Sequence, residues 1–146
     1  MRYEKGTQGR IFVVQFDDGD DLLLGIREIA RRESIRAAAF LLVGGMKEGR
    51  FVVGPRDETF PPVPNWSELG ESHETFGVGT IFWEGDEPRV HFHGAYAKGD
   101  SVKAGCLREK SRTFLILEAI IFEVLGTSAV RERDEKLGLS ILLLGR

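Results

Sequence analysis

"ETFGVGTIFW" (74–83) and "RVHFHGAYA" (89–97) decide the reading of this chain. Both runs are rich in aromatic and β-branched residues, the composition of strands. The connector "EGDEP" (84–88) is made of turn residues, so the two runs predict an antiparallel hairpin. The second run also carries two of the chain's three histidines, His91 and His93. Side chains at i and i+2 of a strand share a face, roughly 6.5–7 Å apart along the chain. Two imidazoles so placed are able to converge on one metal ion, each ring nitrogen ~2.0–2.1 Å from it. A third ligand is then needed, and His73 is the remaining histidine.

Strand parity opposes that third ligand. With the hairpin turn centred near Asp86–Glu87, His91 lies opposite Phe82 and His93 opposite Thr80. Even-numbered residues of the first strand then share the histidine face, and a regular strand turns His73 away. A bulge at Gly77 or Gly79, a bend before the strand, or a site completed across a subunit boundary would each reconcile the three.

Upstream of the hairpin, "RIFVVQF" (10–16) predicts a first strand. Asp20 and Asp21 are N-cap candidates. Leu22, Ile26, Ile29 and Ala30 follow at helical spacing, which predicts one helix over 20–33. "RAAAFLLVGGM" (36–46) reads as a buried strand, "KEG" (47–49) as a hairpin turn, and "RFVVG" (50–54) as its return. Residues 55–70 hold four of the five prolines and predict a long surface loop. Downstream, "KGDS" (98–101) is a turn and "VKAGCLRE" (102–109) a short strand or irregular segment. "TFLILEAIIFEVLG" (113–126) is a central strand, and "LGLSILLL" a final one. The expected fold is α+β, a single domain over 1–146 with one helix and mainly antiparallel strands. One helix cannot cover both faces of such strands, so an uncovered face is expected to meet another subunit.

The totals restrict function. A net charge of −3 and a pI near 5.7 argue against a chain that grips the DNA backbone by itself. No apolar run reaches the ~20 residues of a membrane span, and the polar start has no signal-peptide core, so a cytoplasmic chain is expected. The one cysteine, Cys106, excludes an internal disulfide. It follows Gly105 shortly after the histidine strand and is a candidate neighbour of the same pocket. Glu118 shares strand parity with Phe114, Ile116, Ile120 and Phe122, so its carboxylate needs a partner, a metal or water. A buried salt bridge to an arginine is one reading. A carboxylate in the histidine site, as a general acid/base or as the orienter of an imidazole N–H, is the other.

Taken together, "HFHGAYAKGDSVKAGCL" (91–107) and "LEAIIFEVLG" (117–126) resemble the plant- and prokaryote-conserved (PPC) domain, also called DUF296. That family shows His-x-His-Gly or His-x-His-Ala, a turn, then Gly-His-Leu, and an acidic position matched by Glu118. The resemblance implies an α+β homotrimer formed by sheet packing. It also implies zinc on His91, His93 and the upstream His73, as in some prokaryotic members. The fold is similar to that of acetolactate decarboxylase, a three-histidine zinc enzyme. This chain departs from the pattern at Gly105-Cys106-Leu107, where a thiol replaces the family histidine. It also lacks the Arg-Gly-Arg-Pro core of the AT-hooks that accompany the domain in plants. The preferred expectation is a zinc-containing trimeric assembly or regulatory module, with DNA binding attached to it only through resemblance. The alternative is a small zinc enzyme acting on a small polar metabolite, with Glu118 moving the proton.

Overall fold

The computed structural model describes residues 1–145. Strand β1 (Thr7–Asp17) leads into helix α1 (Leu22–Arg32). Strands β2 (Ala37–Pro55), β3 (Pro64–Leu69), β4 (His73–Glu84), β5 (Glu87–Lys98) and β6 (Ser101–Leu125) follow. A hairpin of β7 (Val130–Asp134) and β8 (Leu139–Leu143) comes last. Six strands form one antiparallel sheet in the order β1-β6-β5-β4-β2-β3, and β2 also pairs with β6. That extra pairing closes β2, β4, β5 and β6 into a ring. The mainly antiparallel α+β expectation holds, with one short helix among the described residues. Among the described residues no helix is long and apolar enough to cross a membrane.

The ring interior is aromatic. Phe40 and Phe92 stack with centroids 5.8 Å apart, and Phe51 packs on Tyr96 at 4.7 Å. All four are fully buried. Gly79 lies against this stack: a Cβ there would sit 2.1 Å from Phe40 Cζ, and one at Gly77 would sit 2.6 Å from Phe92 Cζ. These glycines make room for rings, and they do not mark a bulge. The β4–β5 and β2–β4 registers run through both without a shift. Helix α1 adds Leu22, Leu23, Ile26 and Ala30 to the core. Asp21 caps it as the sequence predicts, accepting the Leu24 N–H at 3.0 Å.

Four segments differ from the sequence reading. "KEG" is not a turn: β2 runs through it, because β6 is long enough to pair with β2 on both sides of residues 47–49. Likewise 102–109 and 113–126 are one strand, β6. Lys110 and Leu115 take positive φ (53° and 59°) near shifts in the β2–β6 register, so the strand bends without ending. The proline-rich loop ends in an edge strand, β3, with Pro64 as its first residue, a position where a missing N–H is tolerated. "VRERDE" supplies β7, so the final strand has a hairpin partner.

Candidate metal centre

The turn at Gly85–Asp86 sets the register of the β4–β5 hairpin, placing Thr80 opposite His91 and Val78 opposite His93. This is two residues from the register expected, so the parity is preserved. Both histidines stand on the outer face of the ring, while Phe92 between them points inward and is buried. His93 pairs in turn with Cys106 of β6, so the thiol joins the two imidazoles on that outer face. Gly105 permits this approach: a Cβ there would lie 2.5 Å from the Val52 carbonyl oxygen.

The two Nε2 atoms lie 3.1 Å apart, with the rings nearly perpendicular. Two ring nitrogens on one tetrahedral ion at ~2.05 Å would be ~3.3 Å apart. One ligand atom from each of His91, His93 and Cys106 lies within 4.8 Å of the others. A nitrogen–sulfur edge on the same ion is ~3.6 Å, so the thiol needs to close by no more than ~1.2 Å. The donors are therefore of the right type and close to the right spacing for a metal ion. Imidazole and thiolate together favour zinc and related soft or borderline ions over magnesium or calcium.

The local electrostatics favour a neutral imidazole. Burial, and then the Arg131 guanidinium, lower the His91 pKa from 6.5 to about 4. Its nitrogens therefore carry no extra proton at neutral pH. Burial raises the Cys106 pKa, against the opposing pull of Arg108 and Arg131, so the free thiol is inert. A metal ion would have to displace that proton.

The pairing of β5 with β6 stops at Phe92 and Leu107. Beyond this rung the strands part, and the β7–β8 hairpin contributes Arg131 to the fork. Arg131 Nη2 lies 3.3 Å from His91 Nδ1, and Nη1 donates to the Ser140 carbonyl at 3.1 Å. A cleft of about 1080 Å³ opens there, lined among others by His91, Arg27, Arg108 and Arg131.

The chain does not bring His73 to this cluster. It is at the start of β4, opposite Met46 of β2, whereas His91 and His93 pair with Thr80 and Val78 near the other end. Unbroken register turns it to the inner face, as parity requires. It is buried there, and its Nδ1 lies 2.7 Å from the Glu71 carbonyl. Glu118 is equally remote. It is exposed on the outer face of β6, between Gln15 of β1 and Val43 of β2, well past the rung where β5 leaves β6. It makes no ion pair among the described residues, so neither the buried salt bridge nor the acid/base role is realised within one chain. The sequence reading did not weigh Arg131, because a charged residue in a late hairpin carries no local signal of the site it reaches.

The sequence pattern of the Plants and Prokaryotes Conserved (PCC) domain matches residues 3–125. The chain belongs to that family. The PCC match spans β1 through β6 and thus all three candidate ligands, and it ends before the β7–β8 hairpin. Among solved structures, the PCC chain is similar to a metal-containing protein from Archaeoglobus fulgidus. The two share 25% identity at a TM-score of 0.85, over 98% of this chain and 99% of that one. It is also similar to a plant- and prokaryote-conserved protein from Pyrococcus horikoshii, with 22% identity, a TM-score of 0.84, and 97% and 96% coverage. A candidate DNA-binding protein from Ralstonia eutropha JMP134 shares the fold, with 24% identity, a TM-score of 0.74, and 91% and 90% coverage. Among curated proteins, no sequence matches this PCC chain.

Proposed function

We propose that this PCC-domain chain is a zinc-holding homotrimeric module of assembly or regulation, with His91, His93 and Cys106 as the protein ligands. The convergence of those three donors on one face carries the reading. The metal-containing protein of A. fulgidus, 25% identical over nearly its whole length, supports it. Three protein ligands leave one position of a zinc tetrahedron open to a small ligand.

An apolar outer face supports the trimer. Following the registers across the sheet, Val13, Ile120, Leu41, Val78, His93 and Cys106 form one continuous row. Val13 is 83% exposed, Val78 56% and Leu41 49%, and Phe76 and Val43 flank them, exposed as well. A patch of this kind on a sheet face suits burial against further copies of the chain.

The enzyme alternative draws on the cleft beside His91, but its proton-moving residue is missing, since Glu118 lies elsewhere on β6. Elemental analysis with light scattering tests the proposal. Wild type should hold zinc at about one ion per chain, the tetrahedral site having one centre, at a mass three times 16.3 kDa. His91→Ala should lose the metal. Equal zinc in both proteins, or a monomer mass, would refute the respective part.

A further inference from the structure

The two Nε2 atoms face each other across 3.1 Å, so Nε2 is the His91 nitrogen aimed at the shared position. A ligand nitrogen offers its lone pair to the ion, which leaves the proton of a neutral imidazole on Nδ1. Ligating histidines ordinarily give that second N–H to a carboxylate, a carbonyl or water. Here Nδ1 faces Arg131 Nη2 at 3.3 Å instead. A guanidinium has donors and no acceptor. With Nε2 engaged, two N–H groups point at each other and an acceptor is missing between them.

Arg131 is itself short of acceptors. Its Nη1 has the Ser140 carbonyl, but its Nε–H is shut from solvent with no partner among the described residues. Burial, followed by repulsion from Arg108, lowers its pKa. The cleft wall adds net positive charge, with Arg27, Arg89, Arg108, Arg131 and Arg133 set against Glu84 and Glu132. Arg27 and Arg108 line it, and neither pairs with a carboxylate among the described residues. Glu84 is already taken by Arg89 at 2.6 Å. One donor of the Arg131 guanidinium, Nε–H, thus lacks an acceptor, and with Nε2 engaged Nη2 and the ring N–H would lack one as well, while Arg27 and Arg108 stand unpaired on the same cleft.

We propose that this cleft binds a small oxyanion, a carboxylate or a sulfate- or phosphate-like group, anchored by Arg131. The anion accepts from the guanidinium, and from His91 Nδ1–H when Nε2 is engaged by the ion. Arg108 supplies the second positive charge at the mouth. The coupling to His91 rests on the metal reading above, whereas the Arg131–Arg108 site stands without it. Arg131 belongs to the β7–β8 hairpin, beyond the span of the family match.

Isothermal titration calorimetry with sodium sulfate and with sodium acetate tests the proposal, on metal-free and zinc-loaded wild type, Arg131→Gln and Arg108→Gln. Saturable binding to wild type is expected, and the tighter of the two probes names the anion class. Loss of a charge-assisted bond should weaken it by roughly tenfold in Arg131→Gln. Arg108 is exposed, so Arg108→Gln keeps its fold and should bind more weakly as well. Zinc content should be unchanged in both variants, and zinc loading should tighten the anion. The proposal is overturned if neither probe binds wild type saturably, or if both variants bind as wild type does. If wild type takes up no zinc, the metal reading fails and the metal-free titrations alone decide the anion site.

Discussion

Glu123 gives a sharp test of how the first strand is held to the ring. Its carboxylate accepts from the Arg10 backbone N–H at 3.0 Å, from Nε at 2.8 Å and from Nη2 at 2.8 Å. Its side chain is 8% exposed, while that of Arg10 is 50% exposed. The Arg10 contacts hold the Glu123 pKa at about 2, below the ordinary 4.5. At ~1.4 kcal/mol per unit the full shift would correspond to ~3 kcal/mol, but screening of the half-exposed guanidinium reduces this to about 1–2 kcal/mol. The folded-state pKa is depressed, so this stability is present above pH 4.5 and is lost as pH falls towards 2. Glu123→Gln should therefore be less stable than wild type by about 1–2 kcal/mol at pH 7. The gap should close through pH 4.5 to 2, as urea denaturation at each pH would measure. A gap that is the same at pH 7 and at the acid end would refute the ion-pair account, leaving only a packing effect.

Other consequences are as concrete. Gly79→Ala forces a methyl into the Phe40 ring, 2.1 Å from Cζ. Overpacking of this kind should cost about 1–3 kcal/mol, a fall of several degrees in Tm by calorimetry. An unchanged Tm would mean that the rings are loosely packed. Val78→Lys puts a charge in the middle of the exposed apolar row, and light scattering should then report monomers where wild type reports trimers. Duplex DNA should show no salt-dependent gel shift with this acidic chain, whereas a clear slope would revive direct DNA binding.

The sequence made the hairpin legible because its two strands and its turn are contiguous, so composition and parity suffice. Parity also foretold that His73 faces away from His91 and His93, and the β4–β5 register agrees. The family resemblance pulled the other way by supplying a third histidine. Cys106 was singled out as the departure from the family pattern, yet its place beside His93 depends on a pairing between β5 and β6 that local pattern does not fix. Long strands were misread as shorter ones for the same reason. The "KEG" turn signal and the gap between residues 109 and 113 are punctuation in a local reading, but pairing with a long neighbour overrides it. The helix and its Asp21 cap, being local, came through intact.

Cobalt substitution tests the central claim most directly, because a thiolate on cobalt gives a charge-transfer absorption that imidazoles alone do not. Wild type and His73→Ala should both show the band, and Cys106→Ser should lose it while His91 and His93 are intact. A wild-type cobalt protein without the band, or one in which His73→Ala abolishes it, would contradict a centre composed of His91, His93 and Cys106.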